Sequence, residues 1–525
     1  MTTGTRATVG TGADGTAEVR RSARTGLAGL AGAATNGLFG FLLAVVITRS
    51  YGTVGSGAFF AAIGVVTVTA AVCTLGAETG LIWTLPRRRV GRGGDAARVL
   101  PVALLPPLVA AAVVAVGGVF AAGALAPHLL DGRSGTDTTL LAVSFAAVPV
   151  VVAMTLLLAV LRCVRPIRAY VGVQSVLVPV ARPLLVAVAA VGSGGVLAGM
   201  ISWVVPAAIA VVVCLVLVTG PLGVGRGSAL RPERADWSAF WRFALPRAAS
   251  AAIDASAVWV GVLLTSVLAG QADAGVFGAV GRYILAGQLA MQGLRVAVSP
   301  QLSRLLGGGE RAAAAAVHRQ MTTWALVLSW PVYLLLAVFG LAFLQLFGPG
   351  FTAGATAITV LALAMLVNTG VGNVQTLLLM SGRSGLHLVA TVAGLAVTVS
   401  LGLWLIPQYG VTGAATAWAV GIVTENLISF VCARVVIGHP LVDAALARAA
   451  AAVVVGVGFA ALAGVFTGGR GIAGLVVALI VLVTGCVGLL TVPGVRRRIR
   501  VTMRQFRSGR TAAPVAAAAT STKDR

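Results

Sequence analysis

Lysine is nearly absent from this sequence. Of its 38 lysine and arginine residues, only Lys523 is a lysine, and it stands in a polar segment near the C-terminus. A Walker A loop needs a lysine between a strand and a helix to hold nucleotide phosphates, and a Schiff base needs a lysine amine. The sequence therefore excludes both P-loop ATP hydrolysis and lysine-based covalent catalysis.

Catalytic and ligand clusters are missing as well. The four histidines have no metal-ligand spacing, and the 14 acids include no paired loop cluster of the kind that a metal-dependent glycosyltransferase uses. The five cysteines lie in apolar segments or at their predicted cytoplasmic ends, so we expect neither a disulfide nor a metal site. These absences predict a protein that is not an enzyme and binds no cofactor.

Charge is scarce in the chain as a whole. Charged residues make up 10% and hydrophobic residues 58% of the 525 residues, whereas soluble proteins carry about 25% charged residues. A membrane-spanning helix needs roughly 20 apolar residues, and the sequence contains fourteen such runs. They lie near 26–48, 57–84, 99–122, 139–161, 169–192, 195–218, 243–268, 273–298, 322–347, 355–380, 386–406, 411–434, 446–467 and 471–493. The sequence therefore predicts an all-α polytopic membrane protein with about 14 transmembrane helices.

The net charge of +24 would suit a nucleic-acid-binding protein, but the arginines cluster in alternate loops. All the clusters lie on one side of the membrane if the N-terminus is cytoplasmic, and the opposite loops hold only Arg49, Arg133 and Arg470. This bias follows the positive-inside rule and predicts a multi-pass protein of the cytoplasmic membrane with both termini in the cytoplasm. The basic excess thus indicates topology and attraction of the C-terminal tail to anionic membrane lipids, with no nucleic-acid partner.

Three short stretches recur at nearly the same offset. TLLLAVLR at 155–162 recurs as TLLLMSGR at 376–383, GVLAGMISW at 195–203 as GVTGAATAW at 410–418, and GAFFAA from Gly57 as GVFGAV from Gly275. The matches predict that spans 1–6 are duplicated in spans 7–12. We expect two pseudo-symmetric six-helix lobes around a central cavity, with two further C-terminal helices. The predicted segments are a cytoplasmic polar tail (1–25), an N-lobe (26–218), a cytoplasmic linker (219–242), a C-lobe (243–434), spans 13–14 (435–493) and a basic cytoplasmic tail (494–525).

One acid and one arginine lie on consecutive predicted spans, where an ion at the helix centre costs about 2.5–3.5 kcal/mol. Asp254 is in span 7 and Arg282 in span 8, and a rise of about 1.5 Å per residue leaves an axial gap of order 10 Å between them. The two residues form either a buried structural pair or the charged wall of a cavity that faces water and substrate.

Four further charged residues are candidates for a site. Arg182 lies between two prolines in VPVARPLL. Because proline frees backbone carbonyls, Arg182 either bonds to a carbonyl or contacts an anion. Arg49, at the predicted external end of span 1, is a candidate for the cavity rim. Glu78 and Glu425 are candidates for coupling or gating, and the alternative is that they snorkel to the membrane surface or bond to neighbouring backbone.

Several longer stretches resemble a known family. They are TRSYGTVGSGAFFA at 48–61, FGPGFTAGATAITVLALAMLVNTGVGNVQTLLLMSGR at 347–383, LIPQYGVTGAATAWAVG at 405–421 and AGVFGAVGRY at 274–283. Over 26–493 the chain resembles the polysaccharide-transport flippases of the multidrug/oligosaccharidyl-lipid/polysaccharide exporter superfamily. The resemblance implies a V-shaped two-lobe transporter that moves polyprenyl-diphosphate-linked sugars outward by alternating access. It also implies that Asp254, Arg282 and Arg49 stand at the family's charged positions in span 7, in span 8 and after span 1.

The implied function is a flippase for lipid-linked oligosaccharides in cell-surface polysaccharide assembly, with a polysaccharide polymerase and glycosyltransferases as candidate partners. Arg282, Arg182 and Arg49 would hold the diphosphate, and Asp254 would balance Arg282 in the empty site. A lipid II flippase is the close alternative, although span 1 has Asn36 where that branch is expected to carry arginines. A cation-coupled multidrug antiporter and a non-transporting membrane scaffold are the remaining alternatives.

Overall fold

The structure is built from helices. The computed structural model describes residues 12–90, 95–130, 135–192, 194–222 and 232–491, and no strand occurs within these ranges. The predicted tail 494–525 and part of the predicted linker 219–242 lie outside them. The prediction of an all-α fold is confirmed, as expected for a chain in lipid, where helices pair every backbone N–H and C=O internally.

Sixteen α-helices follow one another in the described residues. They are α1 (Gly12–Cys73), α2 (Ala77–Val90), α3 (Asp95–Leu129), α4 (Gly135–Val164), α5 (Ile167–Val171), α6 (Val178–Val191), α7 (Val196–Leu222), α8 (Arg234–Ala269), α9 (Gln271–Gly287), α10 (Leu289–Gly307), α11 (Arg311–Gln345), α12 (Ala355–Gly370), α13 (Val374–Met380), α14 (Ser384–Ile437), α15 (Ala444–Gly468) and α16 (Ile472–Thr491). A π-helical segment (Gly172–Leu177) joins α5 to α6, and a 3-10 segment (Phe351–Gly354) precedes α12.

The two longest helices each bend at a glycine. Gly52 in α1 has φ 65° and ψ −167°, and Gly410 in α14 has φ 50° and ψ −128°. A side chain would strain the backbone at these positive φ angles, which glycine adopts readily. Each bend follows a tyrosine, Tyr51 or Tyr409, and separates two predicted spans. Helix α1 thus contains predicted span 1 and the first part of span 2, the remainder of which lies in α2, and α14 contains spans 11 and 12.

Ten helical segments among the described residues are long and apolar enough to cross a membrane. Two predicted spans have no counterpart in this set. In predicted span 243–268 the described residues include a short apolar stretch, Trp259–Ala269, and several side chains before it, including that of Asp254, lie outside the description. Predicted span 273–298, which carries Arg282, is divided at Gln288 into α9 and α10.

Helix packing divides the chain into two compact units. The first comprises Met1–Leu289, Phe347–Ala357 and Leu395–Trp418, and the second comprises Ala290–Leu346, Ile358–Gly394 and Ala419–Arg525. The first unit contains α8 and α9 in addition to the predicted N-lobe. In its core, Leu156, Val160 and Leu161 of α4 are fully buried among side chains of α2, α3, α7 and the start of α8.

Helices α1 and α9 approach each other closely in the first unit. A Cβ atom at Gly57 would collide with the carbonyl oxygen of Gln271, and one at Gly275 would collide with that of Thr53. The two glycines belong to the matching stretches GAFFAA and GVFGAV. Each glycine lies against the backbone just before the other stretch. Small residues permit this contact because they let two helix backbones come together in the membrane.

Ion pairs in the first unit connect the start of α8 to α2 and α3. Arg88 pairs with Asp236 at 2.7 Å, and Arg98 pairs with Glu233 at 2.9 Å. Glu233 and Asp236 also form a reciprocal capping box at the N-terminus of α8. Burial alone would raise the pKa of Asp236, but the hydrogen bond from the Glu233 N–H and the contact with Arg88 outweigh burial and lower it. The Asp236 carboxylate therefore stabilises this end of α8 in its ionised form.

In the second unit, α11 packs against α15 and α16. Phe339 of α11 is fully buried in this contact. At the other end of α11, Arg319 pairs with Asp443 at 3.3 Å. Asp443 is also the N-cap residue of α15 and accepts a hydrogen bond from the Leu446 N–H at 2.8 Å.

Candidate functional site

A cavity of about 230 Å³ lies within the first unit, between α1, α6, α7, α8 and α9. It is partly open to its surroundings. Aliphatic side chains of α1 form one wall, while the remaining lining is polar, cationic or aromatic. These lining residues are Asn36, Phe60, Thr67, Arg182, Trp203, Trp259 and Arg282. The cavity thus brings together two of the predicted site residues, Arg182 and Arg282.

Arg282 of α9 lies against two aromatic rings. The central guanidinium carbon of Arg282 is 5.3 Å from the ring centroid of Phe60 and 5.0 Å from that of Trp259. Gly278 positions the arginine, because it lies one helical turn earlier and has no side chain to push α9 away from the Phe60 ring. Phe60 is 1% and Trp259 9% exposed, so both rings are held by the core. The charge is therefore stabilised by ring faces.

Arg182 of α6 lies over a third ring. Its guanidinium carbon is 3.9 Å from the ring centroid of Trp203 on α7, and its Nε–H donates a hydrogen bond to the Trp203 carbonyl oxygen at 3.3 Å. The π-helical segment Gly172–Leu177 and the following Pro179 interrupt the regular helix before Arg182. The carbonyl oxygen that accepts this hydrogen bond belongs to a neighbouring helix, α7. The guanidinium of Arg182 also faces the cavity.

The described lining of the cavity carries two positive charges. Among the described side chains no carboxylate lines it, whereas two guanidiniums do. The side chain of Asp254 lies outside the described part of the structure, so the predicted pair of Asp254 and Arg282 stays a prediction. The described contacts of Arg282 are with Phe60 and Trp259.

Arg49 is not among the residues that line the cavity, although Ile47, two residues before it in α1, is. It is exposed near the bend in α1, and its side chain faces Gly348, which has φ 117°. Its predicted position at the rim of a binding site therefore remains a prediction.

The two candidate acids lie in different surroundings. Glu78 is exposed in the first turn of α2, and Arg162 is a charged neighbour. Glu425 of α14 accepts hydrogen bonds at Oε1 from Gln375 Nε2 and from Thr391 Oγ1, both at 3.0 Å. Neither acid lines the cavity.

A polar relay surrounds Glu425 within the second unit. The Thr391 hydroxyl lies 3.2 Å from the His387 carbonyl oxygen and 3.5 Å from His387 Nδ1, as well as 3.0 Å from Glu425. A hydroxyl has one hydrogen to donate. Thr391 can therefore donate either to the Glu425 carboxylate or to the His387 carbonyl.

The aromatic partners of the arginines were not predicted. Trp203 ends the repeated stretch GVLAGMISW, so the duplication pointed to it without indicating a role. Phe60 and Trp259 sit in apolar runs, where an aromatic residue resembles ordinary core. Their contact with Arg282 depends on the packing of α1, α8 and α9, which cannot be predicted from the local sequence pattern.

The arrangement is suited to binding an anion. Each guanidinium has five N–H donors, and Arg182 uses one of them on a backbone carbonyl. Arginine binds phosphate through two parallel, charge-assisted hydrogen bonds, and stacking on a ring leaves the N–H edge of the guanidinium available. Asn36 and Thr67 add neutral polar groups to the lining.

Known structures share this fold. An inward-facing multidrug resistance MATE family transporter of the MOP superfamily has a TM-score of 0.61 and 17% identity, covering 79% of this chain and 96% of its own. Lipid II flippase MurJ in an inward closed conformation has a TM-score of 0.62 and 11% identity, covering 86% and 95%.

A third similar structure is a MOP superfamily transporter from Pyrococcus furiosus, described as having a binding pocket of reverse polarity. Its TM-score is 0.55 and its identity 16%, and the match covers 80% of this chain and 95% of that one. No protein-family model and no curated protein matches the sequence. At these identities the likeness shows the fold alone: the chain shares the helical fold of these three solved structures.

Proposed function

We propose that this protein is a flippase that moves a polyprenyl-diphosphate-linked oligosaccharide across the cytoplasmic membrane for cell-surface polysaccharide assembly. The observation that carries the proposal is the cavity with Arg182 and Arg282, each lying on aromatic rings. A drug-cation antiporter would instead need acids in its cavity, since its cargo is positive. The cationic lining favours an anionic cargo.

The chemistry of the cargo explains why a cavity is needed. A sugar diphosphate is charged and hydrophilic and cannot cross about 30 Å of hydrocarbon unaided. In this proposal the two arginines hold the diphosphate by charge-assisted hydrogen bonds. The polyprenyl chain stays in the lipid beside the protein because it is apolar.

The size of the cavity limits what it holds in this state. Its volume of about 230 Å³ is smaller than the roughly 300–1,000 Å³ of pockets that enclose drug-sized ligands. It suits the diphosphate group, whereas a whole oligosaccharide needs more room. Transport by alternating access supplies that room, because the site opens to one side of the membrane at a time.

The test is depletion of the protein followed by leaflet-resolved labelling of lipid-linked glycans. We expect these glycans to accumulate on the cytoplasmic leaflet, because their diphosphate no longer crosses. An unchanged distribution would contradict a flippase. Normal glycan distribution with loss of polymer would indicate the membrane-scaffold alternative.

A lipid II flippase is the second candidate. It is favoured by the likeness of the fold to lipid II flippase MurJ. The same depletion distinguishes the two, because a lipid II flippase would strand the peptidoglycan precursor and leave other lipid-linked glycans unaffected.

We also propose that Glu425 couples transport to protons. In its ionised form it accepts hydrogen bonds from Gln375 and Thr391. Protonation would make the Glu425 carboxyl group a weaker acceptor and shift donation by the Thr391 hydroxyl towards the His387 carbonyl. The contacts of Glu425 with Gln375 of α13 and with Thr391 in the first half of α14 would then weaken. Glu78 is the corresponding candidate in the first unit, at the start of α2.

Glu425→Gln should remove the dependence of transport on an imposed pH gradient, because a glutamine cannot exchange the proton. The measurement is translocation of lipid-linked glycan by the protein in liposomes, with and without the gradient. Glu310→Gln is the matched control, since Glu310 is exposed at the start of α11. If both variants respond to the gradient as the wild type does, Glu425 is not the coupling group.

A further inference from the structure

Two neutral polar side chains of α1, those of Asn36 and Thr67, line the cavity. They lie in the two halves of the helix, 16 residues before and 15 residues after the bend at Gly52. Both halves border the same cavity, so they run past each other on one side of it. At about 1.5 Å per residue, each of the two side chains is roughly 23 Å from the bend. We call this pair the neutral layer of the cavity.

Arg282 lies nearer to the bend than the neutral layer does. Its guanidinium contacts the ring of Phe60, which follows Gly52 by 8 residues and is therefore about 12 Å from the bend. Thr67 is in the same half of α1 and lies about two helical turns beyond Phe60. The neutral layer is thus roughly 11 Å farther along α1 than the ring that holds Arg282.

Arg182 lies at about the same level as Arg282. Its ring partner Trp203 follows Val196, the first residue of α7, by 7 residues. Val196 is close to the bend, because a Cβ atom at Gly55 would lie 3.2 Å from a methyl carbon of Val196. Trp203 is therefore about 11 Å from this end of α7. The two guanidiniums form a cationic layer that is separate from the neutral layer.

The neutral layer offers hydrogen-bond acceptors, which a guanidinium lacks. The Thr67 hydroxyl donates its single hydrogen to the Ile63 carbonyl oxygen at 2.7 Å, so its oxygen is left to the cavity as an acceptor. The Asn36 side chain is exposed, and among the described residues none forms a hydrogen bond with its amide. An amide contributes both an acceptor oxygen and an N–H donor group.

This difference determines which part of a ligand each layer can bind. A diphosphate that is ionised and esterified at both phosphates has no hydrogen to donate, so it suits the cationic layer and gains nothing from the Thr67 oxygen. A sugar hydroxyl both donates and accepts hydrogen bonds, and can therefore bond to Thr67 and to Asn36. The order of the two layers fits an anionic group that is joined to a hydroxyl-bearing group.

Gly40 leaves open space between the two layers. It lines the cavity one helical turn after Asn36, and a Cβ atom here would have no heavy atom within 4 Å. It lies 12 residues before Gly52, or about 18 Å from the bend, which is between the levels of the two layers. A sugar ring attached to a diphosphate in the cationic layer would pass through this space.

We infer that the neutral layer binds the first sugar of the lipid-linked glycan, and that Asn36 and Thr67 recognise its hydroxyl groups. This inference rests on the proposed function, because it takes the diphosphate to be held by Arg182 and Arg282. It adds a specificity site for the sugar to the site for the phosphates. The arginines bind what every polyprenyl diphosphate shares, whereas the neutral layer distinguishes a glycosylated lipid from one without a sugar.

The test compares three short-chain polyprenyl diphosphates on the purified full-length protein in detergent: one plain, one with a hexose and one with an N-acetylhexosamine on the terminal phosphate. Isothermal titration calorimetry gives the three affinities. We expect a glycosylated probe to bind the wild type more tightly than the plain one. Asn36→Leu and Thr67→Val should each lower the ratio of glycosylated to plain affinity about three- to tenfold, as expected for the loss of one neutral hydrogen bond.

Each variant has a matched control outside the cavity lining. Thr155→Val in α4 removes a half-buried hydroxyl that donates to the carbonyl oxygen four residues before it, as the Thr67 hydroxyl does. Asn368→Leu in α12 removes a half-buried asparagine amide. Both control variants should keep the wild-type ratio of affinities, because neither residue lines the cavity.

Gly40→Leu tests the same site by size. The leucine side chain would enter the open space between the layers, so it should also lower the ratio of glycosylated to plain affinity. Gly117→Leu in α3 is its control, since Gly117 likewise has no atom within 4 Å of a new Cβ but does not line the cavity.

The outcomes separate this inference from the proposed function. Suppose that the plain diphosphate binds and that Arg182→Gln/Arg282→Gln weakens its binding. If the sugar then adds no affinity, or if Asn36→Leu and Thr67→Val leave the ratio unchanged, the neutral layer does not bind the sugar, while the arginine site stands. If the plain diphosphate shows no binding that depends on the arginines, the proposed function fails and this inference fails with it.

Discussion

Replacing Arg182 and Arg282 together by glutamine is expected to stop translocation of the lipid-linked glycan while the protein remains folded. Hydrogen bonds to a charged group contribute about 1.5–3 kcal/mol each, so losing both arginines should weaken binding of the diphosphate by roughly 10²- to 10⁴-fold. Glutamine keeps an uncharged polar side chain in the cavity, although it is shorter than arginine. The measurement is leaflet-resolved labelling of the lipid-linked glycan in cells that carry only the variant.

The two single variants divide this effect between the guanidiniums. Each should reduce transport partially, because each arginine has its own ring contacts and either one still attracts the phosphates. Arg383→Gln is the control for loss of one exposed arginine in the second unit. Should transport continue at the wild-type rate in the double variant, the cavity arginines have a structural role. Loss of protein abundance without a change in specific transport would lead to the same conclusion.

Gly57→Ala should be the most destabilising of the small substitutions. A Cβ at this position meets the backbone carbonyl of Gln271, which cannot rotate away as a side chain can. The two helices must then separate, and overpacking of this kind costs about 1–3 kcal/mol. The measurement is the midpoint of thermal unfolding in detergent. Gly275→Ala, which meets the carbonyl of Thr53, should have a similar effect.

The matched control is Gly117→Ala in α3. Gly117 is exposed and has no atom within 4 Å of the position of a new Cβ. This substitution should leave stability unchanged or raise it by about 0.5–1 kcal/mol, because alanine favours a helix over glycine. Equal melting temperatures for Gly57→Ala and Gly117→Ala would show that α1 and α9 are not as close as the structure places them.

The sequence predicted the spans well where apolar residues run without interruption. Helices α3, α4, α7, α15 and α16 match predicted spans because about 20 apolar residues in a row can satisfy their backbone only as a helix in lipid. The bends at Gly52 and Gly410 were not predicted, although both fall between predicted spans. A glycine at a positive φ lets one helix continue into the next without a loop. Hydropathy contains no information about φ, so it could not predict these bends.

The arginines and their partners show a second limit. Arg182 and Arg282 stand out in the sequence because charge is costly in hydrocarbon. Phe60, Trp203 and Trp259 do not stand out, since an aromatic residue in an apolar run is ordinary core. The cation–π contacts join residues on different helices, so they become visible only when the helices are packed.

Composition and the apolar runs by themselves determined that this chain is an all-α membrane protein, because hydropathy and residue type are properties of each segment separately. Only the tertiary structure decided that Arg182 and Arg282 face one cavity, and that Arg49, Glu78 and Glu425 are not among its lining residues. The physical reason is that a span's hydropathy is summed along one helix, whereas a binding site depends on which faces of several helices meet. Those faces are set by close contacts such as Gly57 against Gln271 and Gly278 against Phe60.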